Sequence, residues 1–167
     1  MVITLALTLV TLILPPQQAS CPPGQVIDVN RGQDYTLTLC GGMVVGLRGV
    51  EPPLHTAVTF PGIGGSPLGG DILGSKDISQ DALSFLSGLL VGKRPSLVYD
   101  GYRIGDYSGY GGRPYAYVYL TDKTFVNAEL IRRGYGYADR RGSHPKLDEF
   151  LALEATARRE KRGVWAS

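Results

Sequence analysis

The sequence predicts a β-rich α+β domain, a five-stranded Greek-key barrel of the OB type with about three flanking helices. Three observations lead there. Alternating apolar segments around a Gly-Gly pair open the chain after its first twenty residues. A stripe at helical spacing follows the third of these segments, and two more helical segments near the end each stop at a glycine.

Taken in order, 25–29 has the composition of a strand, and 34–40 alternates Tyr35, Leu37 and Leu39 against Thr36 and Thr38, which is the period of a half-buried strand. Gly41-Gly42 is a two-residue hairpin signal, so 43–50 is expected to return as one continuous third strand. From Asp77 the residues Ala82, Phe85, Leu86, Leu89 and Leu90 recur at three- and four-residue spacing on one helical face, and Gly92 ends the helix. Strands are expected at 96–100 and 115–120. Helices are expected at 125–133 and 147–162, with Gly134 and Gly163 where a C-cap takes a left-handed residue. Two Gly-rich stretches, 55–76 and 101–113, show no period and read as long loops, a type that is usually functional.

A chain of 167 residues fits one domain with a real core. Its 43% hydrophobic and 19% charged residues exclude general disorder. The 23 glycines and 10 tyrosines suit tight turns and half-buried strand positions. Net charge is only +2, so the molecule as a whole lacks the strongly basic field of many nucleic-acid binders. The cations are unevenly placed, however. Arg132, Arg133, Arg140, Arg141, Arg158, Arg159, Lys161 and Arg162 crowd the last third, either as a surface for phosphates or as solvated helix faces.

Residues 1–20 form a separate segment. The uncharged, aliphatic run to Leu14, broken by Pro15-Pro16, has the length of a signal-peptide core and is too short to span a bilayer as a helix. It reads either as a cleaved signal peptide or as an N-terminal membrane anchor, and it places the domain 21–167 outside the cell or in the envelope. Ser20-Cys21 also has the small-residue-cysteine ending of a lipoprotein signal, so Cys21 is open to lipid anchoring. Export would also make a disulfide with Cys40, the only other cysteine, chemically possible.

Five segments then resemble the staphylococcal nuclease (thermonuclease) family, in the family's order. They are Gly46-Leu47-Arg48-Gly49-Val50-Glu51-Pro52-Pro53, similar to the strand and turn Val-Asp-x-Pro-Glu, and Asp81-Ala82-Leu83-Ser84-Phe85, similar to its Glu-Ala-x-x-Phe helix. Gly112 to Tyr119 resembles Gly-Arg-x-x-Ala-Tyr-Val-Tyr, with Val126 to Gly134 following it, and Glu154-Ala155 through Trp165 resembles the closing helix and Gly-x-Trp. The resemblance covers 25–165 and implies the same barrel with three helices. It also implies a monomer that hydrolyses DNA and RNA with one Ca²⁺ held by two aspartates, assisted by two arginines and a glutamate.

Carried over residue by residue, the resemblance puts Asp34 at the first metal position, with Asp28 as the alternative, and Glu51 at the second, where the family has Asp. A hard cation takes carboxylate oxygens, and Ca²⁺ tolerates the extra methylene of Glu51. Arg113 matches one phosphate-side arginine. Gly46 falls at the other, and Arg48, two residues on and on the same strand face, is the expected substitute. Tyr115 and Tyr135 are expected to contact substrate, as part of an aromatic set suited to stacking bases. Leu54 stands where the family carries its catalytic glutamate, which leaves His55, Asp71 and Asp77 as alternative bases. Three readings follow: an exported Ca²⁺-dependent nuclease with a rearranged base, a binding module for nucleic acid or protein that keeps the barrel without hydrolysis, or a purely structural envelope module.

Overall fold

The computed structural model describes residues 21–32, 34–53, 78–100 and 113–166. The N-terminal segment 1–20, the first Gly-rich loop, residues 101–112 of the second, and with them Leu54, His55, Asp71 and Asp77, lie outside the described residues.

Strands β1 (Val26–Arg31) and β2 (Tyr35–Leu39) pair antiparallel, and β2 turns through Gly41 and Gly42 into β3 (Val44–Leu47). Both turn glycines have positive φ, 99° and 85°, which is why this pair, and not two larger residues, makes the hairpin. Tyr35, Leu37 and Leu39 point into the core, as their alternation predicts.

The expected continuous third strand, 43–50, is instead two. After Leu47 the chain bends at Arg48-Gly49 before β4 (Val50–Glu51). Gly49 has φ +76°, and a Cβ there would lie 2.6 Å from His144 Cε1 and 2.8 Å from Phe150 Cε2. The backbone passes directly over those two rings, and only glycine fits. The bend releases β4 from the main sheet to pair with β7 (Tyr137–Ala138), a strand that sequence reasoning missed.

Helix α1 (Ser79–Leu90) buries Ala82, Leu86 and Leu90 and ends where Gly92 adopts φ +82°. β5 (Ser96–Val98) then pairs antiparallel with β6 (Tyr115–Tyr119), and β6 lies parallel to β3. The sheet order is β1-β2-β3-β6-β5. Val26 at one edge accepts from the Gly92 amide and donates to the Lys93 carbonyl, both at 2.8 Å, which draws β1 toward the segment leading into β5. This is the α+β, OB-type fold expected. Helices α2 (Val126–Arg132) and α3 (Leu147–Arg159) close one face, and α3 stops three residues short of the expected end, giving way to a 3₁₀ turn at Gly163–Trp165.

Two internal fastenings matter for the site. Asn127, fully buried on α2, accepts from the Val118 amide at 2.8 Å and donates to the carbonyls of Arg48 at 2.9 Å and Ala116 at 3.2 Å, so α2 fixes the bend after β3. Glu154, 3% exposed on α3, accepts from the Ala138 amide and from both terminal nitrogens of Arg140, which holds β7 in place. Cys21 and Cys40 are joined in a disulfide that ties the start of the domain to the end of β2.

Candidate functional site

The site lies where Asp34 enters β2, β6 begins beside Gly46, and the β4-β7 pair leads into Asp139. Asp34 is 6% exposed. Its Oδ2 accepts from the Tyr115 hydroxyl at 2.6 Å, and its Oδ1 is 3.5 Å from Arg141 Nη2. Tyr115 is the β6 residue paired with Gly46. A Cβ at Gly46 would lie 2.5 Å from Tyr115 Cε1, so the ring fills the space a side chain at 46 would use. Burial first, then the bond to Asp34, push the Tyr115 phenol well above its usual range.

Asp139 follows β7, its amide donating to the Gly49 carbonyl at 3.0 Å. It grips Arg141 with both oxygens, Oδ1 to Nε at 2.9 Å and Oδ2 to Nη2 at 3.1 Å, and Oδ1 also accepts the Arg141 amide at 2.9 Å. Burial alone would raise the Asp139 carboxyl, but the bonds from Arg141 outweigh it and hold the carboxyl below the usual range. Glu51, across the ladder from Tyr137, goes the other way. Burial raises its pKa, Arg141 opposes, and the charges of Asp139 and Asp34 add to the rise.

Arg48 does not stand in for an arginine at 46. Its Nε pairs with Asp100 Oδ2 at 2.7 Å and its Nη2 donates to the Ser143 carbonyl at 3.3 Å. Asp100, 3% exposed in its side chain, binds it from the far end of β5. Beside this pair His144 is buried with Nδ1 3.0 Å from the Tyr117 hydroxyl, and burial, then the Arg48 charge, lower its pKa. Arg113 precedes β6, close enough for its charge to act on Tyr115. Tyr135 packs its ring against Phe85 at 5.6 Å and accepts from the Tyr35 hydroxyl through its carbonyl, so it belongs to the barrel wall. Asp28 bonds its own strand neighbours Val29 and Asn30.

The structure therefore gathers Asp34, Glu51 and Tyr115, with Arg113 at the margin, and directs Arg48 and Tyr135 to structural partners. It adds Asp139, which sequence reasoning did not single out, and Arg141, which it left inside an undifferentiated basic run.

Residues 69–167 match the staphylococcal nuclease homologue family. The match spans more than half of the chain. The chain belongs to that family. No curated protein matches it. Within this staphylococcal nuclease homologue, Arg113, Tyr115, Tyr135, Asp139 and Arg141 fall inside the matched range, whereas Asp34, Arg48 and Glu51 precede it and are placed by the geometry above.

The family's Ca²⁺ can be tested against this donor set. Asp34 already bonds Tyr115 and faces Arg141, and the same guanidinium acts on Glu51. Ca²⁺ takes six to eight oxygens, free of competing cations. With Asp34 engaged by Tyr115 and Arg141, the described residues as arranged do not fit the ion.

Proposed function

We propose that this domain binds the phosphate backbone of nucleic acid without Ca²⁺-dependent hydrolysis, as an exported member of its family. One observation carries the reading: Tyr115 both occupies the space beside Gly46, where the family's arginine would rise, and caps Asp34, the first metal carboxylate. Leu54, in place of the family's glutamate, points the same way, since a water attacking phosphorus needs a group to orient it and take its proton.

The surface that remains for a polyanion runs from Glu51 outward. Tyr137, its ladder partner, packs edge-on against Trp165 at 5.2 Å, and the Arg158 guanidinium lies over that indole at 4.2 Å from its centroid. Beyond it the C-terminal ends of α2 and α3 converge: the Arg162 Nη1 donates to the Arg132 carbonyl, and the Val164 amide donates to the Gly134 carbonyl. Arg132, Arg158 and Arg162 leave 42%, 60% and 43% of their side chains exposed, enough to meet phosphates as well as their own carboxylate partners. Cations at helix C-termini are also favoured by the helix dipole, so their presence alone decides nothing. Their continuity with the aromatic pair beside Glu51 supports a strand-sized path, in which aromatic faces take bases and arginines take phosphates. The disulfide supports export, because such bonds persist in oxidising compartments.

Fluorescence anisotropy with a labelled single-stranded oligonucleotide, DNA and RNA in parallel, tests the reading. Binding should be equal in Ca²⁺ and in chelator, weaken steeply with salt, and fall in Arg113→Ala and in Arg158→Ala. No binding at low salt would refute it.

A further inference from the structure

We infer that the Arg141 guanidinium is a built-in cation, held between Asp34 and Asp139 at the position where the family keeps its divalent ion. One nitrogen, Nη2, reaches both carboxylates, at 3.5 Å from Asp34 Oδ1 and 3.1 Å from Asp139 Oδ2, while Nε holds Asp139 Oδ1 at 2.9 Å. A bridging contact of this kind is what a metal ion makes between two carboxylate ligands. Glu51, the second expected metal ligand, is two ladder steps from Asp139 and feels the Arg141 charge.

The carboxylates are fixed by the fold rather than gathered by the arginine. Asp139 is set by its amide bond to Gly49, and Asp34 by the Tyr115 hydroxyl. The guanidinium never loses its proton in a protein, and unlike Ca²⁺ it cannot be removed by a chelator. An entering divalent ion would have to break the charge-assisted bonds from Arg141 to Asp139 and displace the guanidinium that pairs with Asp34. The site is thereby closed to metal by one side chain.

This deepens the reading above, but its test uses the cation alone, without nucleic acid, so the two fail separately. Terbium luminescence sensitised by tyrosine, with Tyr115 against Asp34, and thermal unfolding with Ca²⁺ or chelator are measured on the parent, Arg141→Ala and Arg141→Gln. The parent should show no saturable terbium signal and no Ca²⁺ effect on Tm. The variants should bind at least about tenfold more tightly than the parent, and their Tm should rise by a few degrees once Ca²⁺ exceeds its Kd about tenfold. A parent that binds Ca²⁺ as tightly as the variants overturns the inference. So do folded variants, checked by circular dichroism, that gain no affinity, since the ion pair would then be merely structural. If neither variant folds, the parent titration decides alone: saturable binding overturns the inference, and its absence upholds it.

Discussion

Tyr115 donates its hydroxyl to Asp34 across a separation of 81 residues while its ring stands over Gly46, the residue it faces across the parallel β3-β6 ladder. The two contacts are mutually dependent. The hydrogen bond fixes the ring where only glycine can lie beneath it, and the glycine leaves the hydroxyl free to reach Asp34.

That dependence is measurable as a coupling. Gly46→Ala places a methyl in the ring's volume and should cost about 1–3 kcal/mol, as overpacking does. In a Tyr115→Ala background the same change should be close to neutral, so urea unfolding of the four proteins should return a coupling on the order of 1–3 kcal/mol. Equal costs in both backgrounds would mean that the ring does not hold that position. Tyr115→Phe keeps the ring, loses the hydroxyl bond to a carboxylate, and should cost about 1.5–3 kcal/mol.

The Cys21–Cys40 disulfide closes a 19-residue separation. Constraining the unfolded chain over a loop of this size is worth about 3 kcal/mol. Reductant should therefore lower the Tm of the parent by many degrees and leave Cys21→Ser/Cys40→Ser unchanged. Mass spectrometry of the unreduced domain should show the bridged peptide.

His144 gives the acid response a definite sign. Its folded pKa lies below the unfolded value of about 6.5. The unfolded chain therefore binds the proton first, and stability falls as pH drops through about 6.5 toward the folded pKa. Glu51 opposes this at lower pH, because its folded pKa is raised and the folded state there takes up the proton first. Urea unfolding at pH 7.5 and at pH 5.5, both ~1 unit from that midpoint, should show the parent losing stability while His144→Gln loses clearly less. An equal loss would assign the acid sensitivity elsewhere.

The parts of the fold that local chemistry decides were legible in the sequence. The Gly41-Gly42 hairpin needs two positive φ values, and α1 shows its buried stripe at Ala82, Leu86 and Leu90. Gly134 announces the end of α2, whereas Gly163 opens the 3₁₀ turn after α3; a Cβ at Gly134 would lie 2.2 Å from the Arg162 carbonyl oxygen and one at Gly163 2.2 Å from the Gly134 carbonyl oxygen. What tertiary contact decides was not legible. The two residues of β7 lie among glycines and carry no period, and the bend at Gly49 is dictated by His144 and Phe150, about a hundred residues downstream. At the site, Asp34 and Glu51 were visible as residue types. The partner that neutralises them was hidden, because Arg141 looks in sequence like any other member of a basic run. Arg48 was hidden for the same reason: it lies in the bend after β3 rather than on the strand, and Asp100, 52 residues away, pairs with its guanidinium.

The most direct test of the account is digestion of single-stranded DNA and of RNA by the purified domain, compared in Ca²⁺ and in chelator, with Asp34→Ala alongside. If Tyr115 and Arg141 close the site, Ca²⁺ produces no more cleavage than chelator does, and Asp34→Ala matches the parent in both. Ca²⁺-stimulated cleavage by the parent that disappears in Asp34→Ala would contradict the account, because it would require Asp34 to be released from Tyr115 and Arg141 to a metal.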